Sequence, residues 1–208
     1  MAINYTVQAT VIDITVDAPK AGDVFLVDTN VWFWMTYPNA TSSVPAQLSV
    51  YPGYLNKALA ADSKIHHSGL SFAELAHLIE KTEREIYERT TGAIGTIKTK
   101  EYRHNLVAER SRVVSEIQAA WGQVTSLALA GPLTVTIDSP TTDAALTRCQ
   151  AERVDGYDLF ILESMKNHSV VQVITDDGDF ATVSGIQVFT ANRNVINAAR
   201  SQGKLLRR

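Results

Sequence analysis

The sequence predicts an α/β protein with a mainly parallel central sheet and a helical insertion. Two patterns carry this reading. The apolar run Val24–Val27, like residues 170–174, has the make-up of a strand buried on both faces. Stretches of helical periodicity lie between such runs, so strands and helices alternate as βαβ units require. A chain of 208 residues is long enough for one sizeable core. Its 45% apolar and 20% charged residues exclude a disordered or collagen-like chain.

Each element follows from local signals. Residues 5–17 alternate in a β-rich pattern and read as one or two strands ahead of the main domain. Val24–Val27 ends at Asp28, and Asp28-Thr29-Asn30 opens a helical stretch containing Trp32, Phe33 and Trp34. Residues 36–46, with Pro38, Asn39, Ser42, Ser43 and Pro45, read as a loop. Residues 52–62 read as a helix with Pro52 near its first turn. A strand follows at 64–67. Ser71 starts a helix to about Arg89, broken at 91–95. Residues 99–129 form a long helical pattern with a break expected near Gly122 and an end at Gly131-Pro132. Then come a strand at 134–137, a helix at 141–152, a turn at Asp155-Gly156-Tyr157 and a helix from Asp158 to about Asn167. Strands at 170–174 and 186–189 and a helix over Arg193–Ser201 complete the chain. The whole of 1–208 reads as one domain, with 1–23 as a β extension and 81–130 as a helical insertion or arm.

Several function classes drop out. No stretch approaches 18 consecutive apolar residues, so no membrane span is expected. The first residues alternate instead of forming a basic start and an apolar run, unlike a secretory signal. Cys149 is the sole cysteine, which excludes a disulfide framework and fits a reducing cytoplasm. The net charge of −3 argues against a protein that coats nucleic acid. The distribution is uneven: 81–130 holds eight basic and six acidic residues, and Arg200, Lys204, Arg207 and Arg208 cluster at the end. In 81–130, Lys81, Arg84, Arg89, Lys98, Lys100 and Arg103 interleave with Glu83, Glu85, Glu88 and Glu101. Such spacing reads as a solvated helix face, with an RNA-binding arm as the alternative.

Acids mark the chemistry. Asp28 follows one apolar strand and Asp177 another, and Glu74 lies one turn into the helix after the 64–67 strand. In an open parallel sheet, ligands bind beyond the carboxyl ends of the strands. These acids would therefore converge on one crevice, with Asp158 as a fourth at a helix start. Four carboxylates so close would stay ionised only around a cation. Oxygen donors suit Mg²⁺ or Mn²⁺, and phosphate chemistry uses such ions. The five histidines show no zinc spacing, and neither a phosphate-binding P-loop nor a GxSxG elbow is present. Each acid also has a plain structural reading. Asp28 and Asp158 suit helix starts. Ser71-Phe72-Ala73-Glu74 has the form of a capping box. Asp176-Asp177-Gly178-Asp179 has the composition of a turn.

Taken in order, Phe25-Leu26-Val27-Asp28-Thr29-Asn30-Val31, Ser71-Phe72-Ala73-Glu74-Leu75, Asp-Gly-Tyr-Asp-Leu-Phe-Ile-Leu from Asp155, and Thr175-Asp176-Asp177-Gly178-Asp179-Phe180 resemble the PIN-domain family of metal-dependent nucleases. The resemblance covers about half the chain. It implies a three-layer α/β/α sandwich and cleavage of single-stranded RNA with Mg²⁺ or Mn²⁺. Many bacterial members are toxin ribonucleases of toxin–antitoxin pairs, so it also implies a cognate antitoxin as a partner. Carried over, Asp28, Glu74, Asp158 and Asp177 are the catalytic and metal-binding acids, with Asp179 as a further metal ligand. Thr175 would orient the cluster, and Asn30 and Ser71 would support it. Asp155 and Asp176 compete with Asp158 and Asp177 for the ligand roles. The chain is longer than compact toxins, at 1–23 and at 81–130. A structure-specific DNA nuclease and a catalytically silent RNA-binding or scaffold module remain as alternatives. Trp32-Phe33-Trp34 could furnish an apolar patch for a homodimer.

Overall fold

The apolar runs come together side by side as a seven-stranded, wholly parallel sheet in a computed structural model of the protein, which describes residues 3–208. In chain order the elements are β1 (Thr10–Asp13), β2 (Val24–Val27), α1 (Thr29–Thr36), α2 (Gln47–Ala60), β3 (Lys64–Ser68), α3 (Ser71–Thr91), α4 (Thr99–Asn105) and α5 (Val107–Leu127). There follow β4 (Pro132–Leu133), α6 (Ser139–Ala151), α7 (Gly156–Asn167), β5 (Gln172–Ile174), β6 (Gln187–Thr190), α8 (Arg193–Ser201) and β7 (Leu205–Leu206). A single 3₁₀ turn, Asp179–Thr182, links β5 to β6. The strand order is β4-β3-β2-β5-β6-β1-β7. Helices cover both faces, giving the three-layer α/β/α arrangement.

Strand side chains alternate between two cores. Phe25 and Val27 of β2, Ile174, Phe189 and Ile12 face α1, α2, α3 and α5. Leu26, Val173, Val188 and Val11 face α7 and α8. None of these nine is more than 1% exposed. Burial on both faces explains why the strands read as unbroken apolar runs. β1 lies between β6 and β7, so the stretch expected ahead of the domain is an inner strand of the sheet. Trp32 and Phe33 are buried in the first core, and Trp34 stacks on Tyr51 with ring centroids 5.2 Å apart. Two of the three aromatic side chains are thus taken up by the core, and Trp34 is half-buried.

Tertiary contacts override several local signals. The helical pattern of 99–129 breaks at Leu106, and Gly122 stays inside α5. Buried acids on α3 hold both sides of that break. Glu80 takes Arg103 of α4 at 2.5 Å and Arg110 of α5 at 3.5 Å, and Glu83 takes Arg112 at 2.7 Å. Glu88 accepts Arg84 and the backbone N–H groups of Gly95 and Ile97. Glu83 and Glu88 are thus buried, against the solvated face expected for this stretch. α5 sends Ala120 and Val124 into the core beside α1 and α3, so it is part of a helical layer and not a projecting arm.

The strand expected at 134–137 is confined to Pro132–Leu133, because β3 offers partners only at His67 and Ser68. Thr134 then turns its carbonyl to the Ser164 hydroxyl, and Ile137 is exposed. α2 begins at Gln47, five residues ahead of Pro52, which sits inside the helix; the carbonyl left without a donor belongs to exposed Leu48. The last helix matches its expected range, Arg193–Ser201.

β7 brings Arg208 to the far end of the sheet. Its guanidinium donates to both Asp17 oxygens at 2.9 Å and to Asp23 at 2.6 and 2.8 Å, and lies 4.5 Å from the Phe189 ring centre. That guanidinium holds the Asp23 carboxyl below its ordinary range against the opposing effect of burial. Removing one partner from a buried pair strands the other charge. Arg208→Ala is expected to cost about 2–4 kcal/mol and to lower the melting temperature by roughly 5–15 °C, read by thermal unfolding at neutral pH. An unchanged melting temperature would show that Asp17 and Asp23 are hydrated.

Candidate functional site

The strand order reverses at β2. From β2 the chain crosses to β3 on one side, while β5 pairs on the other. The carboxyl ends of β3, β2 and β5 therefore open side by side at a switch point, where α/β sheets bind ligands. A pocket of about 370 Å³ lies there, lined by Asp28, Thr29, Asn30, Glu74, His77, Asp155, Tyr157, Asp158 and Asp177 among others.

Local structure aims each acid. Asp28 is the N-cap of α1, where its Oδ1 accepts the Thr29 N–H at 2.6 Å. Its other oxygen accepts the Thr175 hydroxyl at 2.5 Å, and the same hydroxyl accepts the Asp177 N–H at 2.8 Å. Thr175 is fully buried and so joins the ends of β2 and β5 through one oxygen. Glu74 is in the first turn of α3, but no capping box forms. Ser71 is the first helical residue, and its hydroxyl accepts the Ser68 N–H within the preceding turn. The Glu74 carboxylate instead accepts the Thr29 hydroxyl at 2.5 Å. α7 starts two residues earlier than expected. Asp155 is its N-cap, accepting the Tyr157 and Asp158 N–H groups, and buried Asp158 sits in the first turn.

The competing acids separate by their hydrogen bonds. Asp177 lines the pocket and accepts the Asp179 N–H at 2.9 Å. Asp176 is turned away onto Tyr51, whose hydroxyl donates to it at 2.6 Å, and onto the Gln47 amide. Tyr51 also accepts the Ala191 N–H at 2.9 Å, so Asp176 anchors the loop to α2 and β6. Asp155 and Asp158 both face the pocket. Asp179 and Ser71 are not among the lining residues. Asn30 is, and its Oδ1 is buried without a hydrogen-bond partner.

Three features escaped sequence reasoning. Thr29 orients Glu74, though its place beside Asp28 gives no hint of a partner 45 residues away. His77 lines the pocket, and its spacing of three from Glu74 on one helix could have indicated it. Tyr5 packs against Gly178, where an added Cβ would meet its ring, so a larger residue at this loop position would displace Tyr5. The Tyr5 carbonyl accepts the Gln202 amide at 2.9 Å, which ties the N-terminal segment to α8.

Charge distinguishes this pocket from the rest of the protein. Buried acids elsewhere meet arginine: Glu80, Glu83, Glu163, Asp17 and Asp23 all do. Among the described residues, no lysine or arginine forms an ion pair with Asp28, Glu74, Asp155, Asp158 or Asp177. Burial, followed by the charges of Asp28 and Asp177, pushes the Asp158 carboxyl up to about 9. Burial also pushes Asp28 up to about 7, against the Thr175 hydrogen bond and with the charge of Glu74 adding to it. Burial raises Glu74 as well, with the Thr29 hydrogen bond opposing. The acids nevertheless line an opening rather than close a shell: among the described residues no three Asp, Glu, His or Cys side chains are gathered as a set ready to hold a metal ion.

No family model matches the chain, and no curated protein matches it.

The raised acids set the pH response. Asp28 and Asp158 bind protons more tightly folded than unfolded. The folded state therefore holds the extra protons between about pH 4 and about pH 9. Stability without metal should fall as pH rises through that window. Asp158→Asn should raise the melting temperature at pH 8 in EDTA, by about 2–4 °C per kcal/mol relieved, and flatten the decline. A lower melting temperature for this variant at pH 8 would mean that the carboxylate is not strained there.

Proposed function

We propose that the protein is a metal-dependent endonuclease that hydrolyses single-stranded RNA, with its active site in the acid-lined pocket. One observation carries the reading. Four carboxylates from four separate segments, Asp28, Glu74, Asp158 and Asp177, line one opening at a sheet switch point with no cationic side chain paired to them. Their order and placement support the resemblance to PIN-domain nucleases.

A hard divalent cation fits this donor set, which is all oxygen, and the buried Asn30 Oδ1 beside it has no hydrogen-bond partner. Asp28, Glu74, Asp158 and Asp177 would hold Mg²⁺ or Mn²⁺, which when bound would supply neutralising charge to the phosphodiester and its departing oxygen. The protein's own contribution is orientation. Thr175 fixes one Asp28 oxygen and Thr29 fixes Glu74, so both carboxylates reach the pocket in set directions. Asp155 and Asp177 accept backbone N–H groups, which fixes the direction of each carboxylate. Asp28 and Asp158 must shed protons to bind a cation, so affinity should increase from pH 6 to pH 9.

One observation favours a second reading, a catalytically silent RNA-binding module: the acids are not drawn together as a ready set. Cleavage of matched RNA and DNA oligonucleotides with Mn²⁺, with EDTA and with Asp28→Asn separates the cases. The expected outcome is Mn²⁺-dependent cutting of RNA, reduced at least ~100-fold in Asp28→Asn. Thr175→Val should lose about 10–100-fold, the usual effect of removing a group that orients a ligand. Preferential cutting of DNA would reassign the substrate. No cutting, together with no thermal stabilisation by Mn²⁺, would favour the silent module.

A further inference from the structure

A second opening adjoins the acid pocket across one helix. α3 presents Glu74 and Leu78 to the acid pocket, and Phe72, Ala76 and Glu80 to a cleft of about 720 Å³ against α5. Ala73 and His77 form the ridge between them, lining both and exposed on each. The far wall is one face of α5: Arg110, Val114, Ile117, Gln118 and Trp121 recur at helical spacing. The volume is in the range of pockets that hold ligands of nucleotide size or larger.

The lining has two halves. At one end Phe72 is 47% exposed, although it is a large apolar side chain. Its ring meets Trp121 edge to face at 5.3 Å, which keeps it upright with a face open to the cleft. At the other end Arg103 and Arg110 share the single acid Glu80. Arg103 grips it in a fork at 2.7 and 2.5 Å, whereas Arg110 touches it at 3.5 Å and is 43% exposed. One guanidinium charge is therefore left over. Gln118, exposed beside the aromatic end, offers an amide donor and acceptor.

An aromatic face, an amide and a spare guanidinium within one cleft match an unpaired nucleobase and its phosphate. We propose that this cleft is a subsite for one nucleotide of a single-stranded polynucleotide, its base stacked on Phe72 and its phosphate on Arg110, with the next phosphodiester passing over Ala73 and His77 toward the acids. The proposal rests on the nuclease reading for the last clause only. A duplex cannot use the subsite, since its bases are already stacked on each other.

The test is binding of the full-length protein to octanucleotides in EDTA, where no cutting occurs. The RNA and DNA octamers each carry one 2-aminopurine. Phe72→Ala should weaken binding about 5- to 100-fold and abolish quenching of the 2-aminopurine. Phe72→Tyr should restore both. Arg110→Ala should flatten the dependence of log K on log salt by about one phosphate's worth. RNA bound better than DNA would name the sugar, and the reverse would name DNA as the strand held. Unchanged affinity and quenching in Phe72→Ala, in a variant with wild-type melting temperature, would overturn the subsite. So would light scattering that shows a dimer dissociated by Phe72→Ala, because the cleft would then hold a second copy. Binding that responds to Phe72 while Mn²⁺ brings no cleavage would retain the subsite and remove the nuclease. Cleavage with a KM indifferent to Phe72 and Arg110 would do the opposite.

Discussion

β2 and β5 pair in parallel with Val27 beside Ile174, so the chain leaves both strands at the same level. Asp28 follows one and Thr175 the other. The Asp28 N–H donates to the Ile174 carbonyl at 3.0 Å, extending the ladder by one bond, and the Thr175 hydroxyl closes onto the Asp28 carboxylate. Two further pocket acids are tied to this junction. Thr29 carries the link to α3 through Glu74, and the Asp177 N–H returns to Thr175. Slipping the register by one residue would exchange Leu26 with Val27 between the two cores and swing Asp28 away from Thr175.

The distribution of charge completes the picture. This protein pairs most of its buried acids with arginine, and uses those pairs to dock segments on each other. Glu80 and Glu83 fold α4 and α5 onto α3, Glu163 joins α7 to α6 through Arg148, and Asp17 with Asp23 receives Arg208. The pocket acids lack such partners; hydroxyls and backbone N–H groups hold Asp28, Glu74, Asp155 and Asp177 instead. Hydroxyls orient a carboxylate without neutralising it. The pocket thus keeps its negative potential, the condition for attracting a cation, at the expense of stability when none is bound.

α3 brings the two openings into register. Its residues at spacings of three and four fall on adjacent faces, so one straight helix separates acid from aromatic surface by a single ridge. Glu80, at the base of the second cleft, both holds α4 and α5 in place and leaves Arg110 with charge to spare. Docking the helical layer and shaping the cleft are therefore one arrangement.

What could be read along the chain is what neighbours in sequence impose. Strand runs such as Val24–Val27, the polar cap at Asp28, the α8 range and the acids at strand ends all follow from periodicity and turn chemistry within a few residues. The parallel sheet follows from their alternation. Features made by distant partners were not legible. Ser71-Phe72-Ala73-Glu74 has the form of a capping box, yet Glu74 turns to Thr29, whose buried hydroxyl donates to its carboxylate. The charges of 81–130 resemble a solvated helix face, yet Glu83 is buried because Arg112 reaches it from α5, and Glu88 because the Gly95 and Ile97 N–H groups of the following turn close onto it beside Arg84. Asp176 and Asp177 are adjacent and alike in type, and distant partners on α2, Tyr51 and Gln47, separate anchor from pocket acid. Local pattern encodes which side chains must be buried or capped. Which partner satisfies a buried charge is a matter of space, and it is settled when the layers close.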